Sequence, residues 1–387
     1  MSAPSIVFIS SLVFIVYVLA GYPLLLACYA RLFPQPIRKA PLKKTLSIII
    51  PVRNGAHWIE AKIRSLLESD YPGDLIELVI ASDGSSDGTK EFVARCGDPR
   101  VRLLALPPRG KAVAVSRAME HVSGEIVVLT DVRQPFARDA LSRLVACFAD
   151  PSIGVVTGEL VIRQGTSLEE YNTGLYWRYE KWIRRNLNRV NAMLGATGSI
   201  YAIRRELAAP IPADILLDDV YLPFVAAFRG FRIYFEDNAK AFDIPTSLHS
   251  EFWRKVRTQA GVYQILFRFP GLLRPDNRRF IHFVSHKLGR LLLPFAMIAG
   301  FWSSFGLAAP GRWIALGAQA LFYTLALVDP VIPEGNSIKR ISAVIRAYVV
   351  LVAAALCAVA VFFIPAQSLW KDTRGANRPE FTSNEPS

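Results

Sequence analysis

Hydrophobic and polar positions follow two different rhythms along this chain. From Ser5 to about Cys28 the residues are uncharged and apolar, a run long enough to cross a hydrocarbon core of ~30 Å as a helix. Three more apolar runs lie toward the other end, roughly Leu291 to Leu307, Trp313 to Val328 and Tyr348 to Ile364. Between about Leu46 and Phe280 the rhythm changes to short apolar runs alternating with amphipathic stretches. "LSIIIPV" predicts a buried strand, followed by a helix over about Trp58 to Glu68. "IELVIAS" predicts the next strand, and "GTKEFVARC" opens a helix. "VRLLAL" is a third strand, "GKAVAVSRAME" a helix, and "EIVVLTD" a fourth strand. Such alternation predicts an α/β fold whose mostly parallel sheet is covered on both faces. Ligands of these sheets bind beyond the carboxyl ends of the strands, at a topological switch point. Arg53, Asn54, Asp83 and Asp131 all fall at those ends.

Composition sharpens the organisation. The 387 residues are 52% hydrophobic with a formal charge of +13, and mean hydropathy is +0.29. The charge points to anionic partners such as a membrane surface or phosphates. No Lys or Arg precedes the first apolar run and no Ala-x-Ala follows it, so it reads as a retained transmembrane helix rather than a signal peptide. Arg31, Arg38, Lys39, Lys43 and Lys44 come next and mark the cytoplasmic side. Lys339, Arg340 and Arg346 place the last loop there too. Four crossings then put both termini outside a cell (inner) membrane and the central domain in the cytoplasm. The expected division is residues 1–30 as a transmembrane helix, 31–248 as the cytosolic domain, and 249–288 as interfacial amphipathic helices. Residues 289–364 follow as about three transmembrane helices and 365–387 as a disordered tail. The four cysteines have no CxxC spacing, and no GxxxxGK[ST] or GxGxxG follows a strand. His282 and His286 share a helix face, which a juxtamembrane helix explains without a metal. No charged residue lies inside the C-terminal apolar runs, which argues against a transporter.

In "ASDGSSDGT", Gly84 frees a turn while Asp87 and Thr89 suit a helix cap. A capped turn leaves Asp83 unexplained, and a carboxylate there can accept from a base N–H or a ribose hydroxyl. Asp131 ends the fourth strand, but Arg133 stands where a second acid would complete an Asp-x-Asp metal clamp. Asp218 and Asp219 precede an apolar helical run, where they can cap a helix or do chemistry.

"IIIPVRNGA", "ASDGSSDGT", "RGKAVAVSRAME", "GEIVVLTDVRQ" and "ILLDDVYLPF", in that order, resemble family 2 glycosyltransferases of the membrane-embedded, cellulose-synthase-like group. The likeness runs from about Leu46 to Gly261. It implies a GT-A fold and inverting transfer from a nucleotide-diphosphate sugar, with a UDP-sugar as the expected donor. The acceptor would be a glycan or glycolipid of cell-envelope or exopolysaccharide synthesis. By the same resemblance Pro51, Arg53 and Asp83 line the nucleotide, and Lys111 lies near the nucleotide or donor sugar. Asp131 faces the diphosphate directly or through Mg²⁺ or Mn²⁺. Asp219 matches the acid that serves as general base, with Asp218 in the place of the usual glutamate. Thr197, Gly198 and Ser199 of "LGATGSIYAIRR" fall in the acceptor segment. Tyr171, Tyr176, Trp177, Tyr179 and Trp182 just before it suit sugar stacking or ordinary packing.

Three departures matter. Arg53 and Gly55 replace the tyrosine and glutamate of the first motif, with Glu60 on the next helix as a candidate substitute. The processive members' Gln-x-x-Arg-Trp becomes "RKVRT", so Arg257 keeps the arginine while Arg254 and Thr258 replace glutamine and tryptophan. The tryptophan platform for a growing polymer is therefore missing. Arg254, Lys255 and Arg257 suit either the diphosphate or anionic lipid. Finally, guanidinium cannot ligate a cation, so Arg133 becomes a candidate bidentate phosphate contact. The expected partners are a nucleotide sugar, a glycan or lipid-linked acceptor and membrane lipid, with no nucleic acid. Two alternatives remain: transfer to a polyprenyl phosphate, which needs no base, and a non-catalytic nucleotide-sugar-binding membrane subunit.

Overall fold

A computed structural model describes residues 1–162, 168–244, 248–333, 336–365 and 368, without the side chains of 168–176 and 248–250. A seven-stranded sheet organises the central domain: β1 Leu46–Val52, β2 Ile76–Asp83, β3 Val101–Leu106, β4 Ile126–Leu129, β5 Ile153–Ile162, β6 Tyr201–Arg204 and β7 Arg232–Asp243. The spatial order is β3-β2-β1-β4-β6-β5-β7. All pairs are parallel except those of β6, which runs antiparallel to both β4 and β5. The order reverses between β1 and β4, so the switch point lies where Val52 and Leu129 end their strands.

Eleven helices accompany the sheet among the described residues. They are α1 Ala3–Leu32, α2 Ala56–Leu67, α3 Thr89–Arg95, α4 Lys111–Met119, α5 Ala140–Ala146, α6 Leu168–Arg189, α7 Asp218–Phe228, α8 Leu248–Arg268 and α9 Gly289–Ser304. The last two are α10 Gly311–Val331 and α11 Ser337–Phe362. The near-continuous apolar character of β1 follows from burial on both faces. Ile48 and Ile50 enter the core with Ile59, Ile63 and Leu66 of α2. Ile49 faces the other way, into a core with Ala114, Val115 and Ala118 of α4, Ile183 and Leu187 of α6, and Leu222 and Phe224 of α7.

The chain is a membrane protein with three helices long and apolar enough to cross a bilayer, α1, α10 and α11. Ile6, Leu12, Val13, Leu24 and Leu25 of α1 stay exposed, as lipid-facing side chains must. The Leu291 run is not one of these three. Its helix, α9, continues without a break from a helical turn at Phe280–His282 and a π-helical segment at Phe283–Leu288. It lies antiparallel to α1, with Gly289 against Val18, Gly300 against Ser11 and Gly306 against Pro4. Lys339 and Arg346 also differ from expectation. They belong to α11 and converge on the buried Asp329 at the end of α10, at 3.2 and 3.3 Å, and so close the helical hairpin. Nearly all of the tail from Pro365 lies outside the described residues.

Candidate active site

The loops at the carboxyl end of the sheet are stitched to one another by their own polar groups. After β1 the chain turns through Asn54, at φ 54°. The Asn54 amide oxygen accepts from the Ser86 N–H at 2.9 Å, and the Ala56 N–H donates to Asp87 at 2.9 Å. The Gly55 N–H donates to Thr89 at 3.0 Å. Asp87 and Thr89 thus join the turns after β1 and β2, and α3 begins at Gly88 with no side-chain cap. Asp83, 5% exposed, accepts from the backbone N–H groups of Arg109 at 2.7 Å and Gly110 at 3.0 Å. Its carboxylate therefore fixes the loop that presents Lys111. The loop can approach because Gly84, at φ +66°, has no side chain; a Cβ there would stand 2.8 Å from the Pro108 ring.

Lys111, at the start of α4, reaches into the switch-point cleft. Its ammonium lies 3.0 Å from Asp131 and 3.2 Å from Asp218. Burial alone would lower the lysine's pKa, but Asp131, Asp218 and Asp219 outweigh it and hold the group well above its ordinary range. Asp218 and Asp219 occupy the first turn of α7, where the helix dipole favours negative charge. The Gly198 N–H donates to Asp219 Oδ2 at 2.9 Å, and the Asp219 carbonyl accepts from the Ala196 N–H at 2.7 Å. Burial and the neighbouring Asp218 and Asp131 raise the Asp219 pKa to about 6, against the pull of Lys111 and the Gly198 N–H. Such a carboxyl is poised to exchange a proton near neutral pH. Arg257 on α8 faces the same acids; burial lowers its pKa while Asp131, Asp219 and Asp218 oppose the fall.

The acceptor segment is built around these acids. The Thr197 N–H donates to Thr157 of β5 at 2.9 Å, and Arg184 of α6 donates to the Thr197 hydroxyl. Thr130 donates to the Ser199 carbonyl at 2.6 Å, which ties the end of β4 to the acceptor loop. Two buried hydroxyls here, Ser199 Oγ and Tyr201 Oη, have no hydrogen-bond partner among the described residues. Burial beside Asp218, Asp219 and Asp131 raises the Tyr201 pKa.

The structure brings Lys111, Asp131, Asp218, Asp219, Gly198 and Arg257 together, and it turns others elsewhere. Arg133 pairs at 2.7 Å with the buried Asp243 of β7, whose same oxygen accepts from Gln134 at 2.8 Å. As placed, its guanidinium braces the turn after β4 instead of facing the Asp131 cleft. Arg254 pairs with Glu251 at 2.6 Å and lies 5.6 Å above the Trp177 ring. Pro51 is paired in register with Ala81 inside the sheet, and Arg53 is exposed beyond it. Tyr179 donates to the Leu19 carbonyl of α1 at 2.7 Å and so tethers α6 to the first membrane helix. The side chains of Tyr171 and Tyr176 lie outside the described residues. Glu60 pairs with Arg64 on its own helix at 2.6 Å.

Two participants carried no signal of their own in the sequence, Arg184 and Lys62. Lys62 is 0% exposed. It donates to the Thr130 hydroxyl at 2.7 Å and the Gln134 carbonyl at 2.5 Å, directly beneath the Asp131 turn. A lysine on the apolar face of α2 was the one clue to it.

Among the described residues no three His, Cys, Asp or Glu side chains converge as a protein-only metal site requires. Asp131, with 40% of its side chain exposed, fits a cation that takes its other oxygens from a bound diphosphate and water.

Comparison with known proteins accords with this arrangement. Residues 47–210 match the model of glycosyl transferase family 2. The chain carries a family 2 glycosyltransferase domain. An N-acetylglucosaminyltransferase of Rhizobium meliloti (strain 1021) is 27% identical to this glycosyltransferase over 290 residues, which is 69% of this chain and 67% of the relative. A poly-beta-1,6-N-acetyl-D-glucosamine synthase of Staphylococcus aureus (strain COL) is 24% identical over 231 residues, 58% of this chain. The glycosyltransferase spans 56% of that synthase's length. Its fold matches the mannosyltransferase PcManGT from Pyrobaculum calidifontis, solved with GDP-Man and Mn²⁺. The TM-score is 0.72 at 24% identity, over 92% of this chain and 99% of that one. That likeness fixes the GT-A fold.

Proposed function

We propose that this protein is an inverting, membrane-bound glycosyltransferase. It moves a sugar from a nucleotide-diphosphate donor to a hydroxyl of a glycan or glycolipid acceptor in cell-envelope or exopolysaccharide synthesis. The observation that carries the reading is Asp219, a half-buried carboxyl with its pKa raised to about 6 and fixed by the Gly198 N–H beside the acceptor loop. As the acceptor oxygen attacks the anomeric carbon, its proton passes to the Asp219 carboxylate. The bond from that carbon to the diphosphate oxygen breaks, and its electron pair leaves with the nucleoside diphosphate. Lys111 and Arg257 supply positive charge at the Asp131 side, where negative charge grows on the leaving group. A divalent cation held by Asp131 and the diphosphate would add Lewis-acid stabilisation there.

The names of the rhizobial and staphylococcal relatives favour UDP-N-acetylglucosamine as the donor to test first. The basic segment after α1 supports a cytoplasmic domain with the N-terminus outside. The antiparallel pairing of α9 with α1 adds an element at similar depth. The test is release of nucleoside diphosphate by the purified protein from a panel of nucleotide sugars, with and without Mg²⁺ or Mn²⁺. One sugar should be consumed by the wild type and spared by Asp219→Asn. Equal turnover by both proteins would remove the base from the scheme.

A further inference from the structure

A pocket of 470 Å³ opens where β5 and β7 begin, at the opposite end of the sheet from the donor cleft. Three arginines line it: Arg232 at the start of β7, and Arg278 and Arg279 in the loop before the helical turn at Phe280. Phe228 at the end of α7 completes the wall. Arg279 is 7% exposed, and its Nε–H donates to the Met193 carbonyl at 3.1 Å. Burial and the neighbouring Arg278 lower its pKa to about 10, and no carboxylate opposes them. Arg232 donates to the Gln35 and Pro36 carbonyls at 2.6 and 3.4 Å, and Arg278 donates to the Gln35 amide oxygen at 3.4 Å. The acids nearby already have partners. Asp276 pairs with Arg274. Asp150 accepts from the Arg38 and Ser152 N–H groups and acts on Arg232 only as a more distant charge. Among the described residues none of the three arginines forms an ion pair with a carboxylate.

A buried guanidinium without a carboxylate is costly, and an anion entering the pocket would offset that cost. The depth of the pocket points to the source of the anion. α1 has 30 residues, about 45 Å at 1.5 Å per residue, which matches a bilayer with its headgroups. Its end at Leu32 therefore reaches headgroup level, on the side where Arg31, Arg38 and Lys39 lie. Gln35 follows directly and touches both Arg232 and Arg278. The helix that starts at Phe280 runs back along α1: His282 Nδ1 lies 3.0 Å from the Tyr22 hydroxyl, and Gly306 lies against Pro4. Arg278 and Arg279 thus precede its first turn, toward the Leu32 end. Phe228, Leu273 and Ile281 around them are exposed, apolar surface that acyl chains can cover. Basic pockets at this level suit anionic headgroups.

We propose that this pocket binds the phosphate of an anionic phospholipid, held among Arg232, Arg278 and Arg279. The site stands apart from the sugar chemistry and is measurable by binding alone. The full chain in neutral maltoside detergent is titrated with dioctanoyl-phosphatidylglycerol, dioctanoyl-phosphatidylcholine or glycerol phosphate, and native mass spectrometry reads the bound fraction. The phosphatidylglycerol should bind about tenfold or more tightly than either control. Arg278→Gln and Arg279→Gln should each weaken it about tenfold, the scale of one charge-assisted hydrogen bond. Arg278 is exposed, so its variant keeps the fold whatever Arg279→Gln does. Arg31→Gln removes an exposed charge outside the pocket and should hold the affinity within about twofold, because solvent and salt screen that charge. Phosphatidylcholine binding as tightly would overturn recognition of an anion. Glycerol phosphate binding as tightly would make this a free-phosphate site and overturn the lipid assignment. Unchanged affinity in both pocket variants, or an equal loss in Arg31→Gln, would reduce the effect to diffuse attraction by the basic surface and overturn the pocket.

Discussion

Asp219→Asn should change activity and stability in opposite directions. The amide oxygen still accepts from the Gly198 N–H, so the acceptor loop keeps its tether at 2.9 Å. What disappears is a negative charge crowded by Asp218 and Asp131. A rise from 3.8 to about 6 corresponds to about 3 kcal/mol at about 1.4 kcal/mol per pH unit. Asp219 is partly open to the cleft, so solvent reduces this to roughly 1–3 kcal/mol. Because the folded-state pKa is raised, the wild type is relatively most stable below the unfolded value and loses that advantage as pH passes 6. The asparagine variant should therefore melt higher than the wild type at pH 7.5 and converge with it near pH 4. Turnover should fall about 10²–10⁴-fold, the range for loss of a general base. Thermal melts followed by tryptophan emission and nucleoside diphosphate release measured side by side give both quantities. A variant that is less stable at pH 7.5, or that retains turnover within a few-fold, would refute the reasoning.

Other consequences of the geometry are equally accessible. Wild-type kcat/KM should fall about tenfold per pH unit below about 6, as Asp219 takes up its proton; a flat profile down to pH 5 would exclude it as the base. Lys111→Met removes the cation 3.0 Å from Asp131 and 3.2 Å from Asp218, so turnover should drop and the acid limb of the profile should move to higher pH. Arg133→Ala leaves the buried Asp243 with Gln134 as its side-chain partner among the described residues. Loss of one partner from a buried pair costs about 3 kcal/mol, so urea unfolding should register mainly a stability defect. A large rise in donor KM with normal stability would restore Arg133 as a phosphate contact. Lys62→Met strands the Gln134 carbonyl and loosens the Asp131 turn, for about 1–3 kcal/mol and a weaker donor affinity by titration with nucleotide sugar.

The elements legible in the sequence were those that a single periodicity describes. β1 falls where "LSIIIPV" places it, because a parallel central strand is buried on both faces and reads as an unbroken apolar run; β3, the edge strand, falls at "VRLLAL" although it is only partly buried. β7 interleaves Arg232, Glu236, Asn238 and Lys240 with its core positions, and β6 has four residues, so neither stands out. The acids of the site were visible because carboxylates at strand ends and helix starts are conspicuous in an α/β pattern. Their partners were not. Asp83 spends its oxygens on the Arg109 and Gly110 amides, and Arg133 finds Asp243 110 residues away. Contacts of that range are set by the tertiary fold, and no local spacing encodes them.

The central claim is transfer of a sugar with inversion at the anomeric carbon, assisted by Asp219. Proton NMR of the anomeric region, recorded while the reconstituted protein turns over an α-linked nucleotide sugar with lipid acceptor present, tests it most directly. The donor's α-anomeric signal should decline as a β-linked product signal grows, and Asp219→Asn should leave the donor signal standing. An α-linked product, or a donor signal unchanged by the wild type across the panel of nucleotide sugars, would contradict the account.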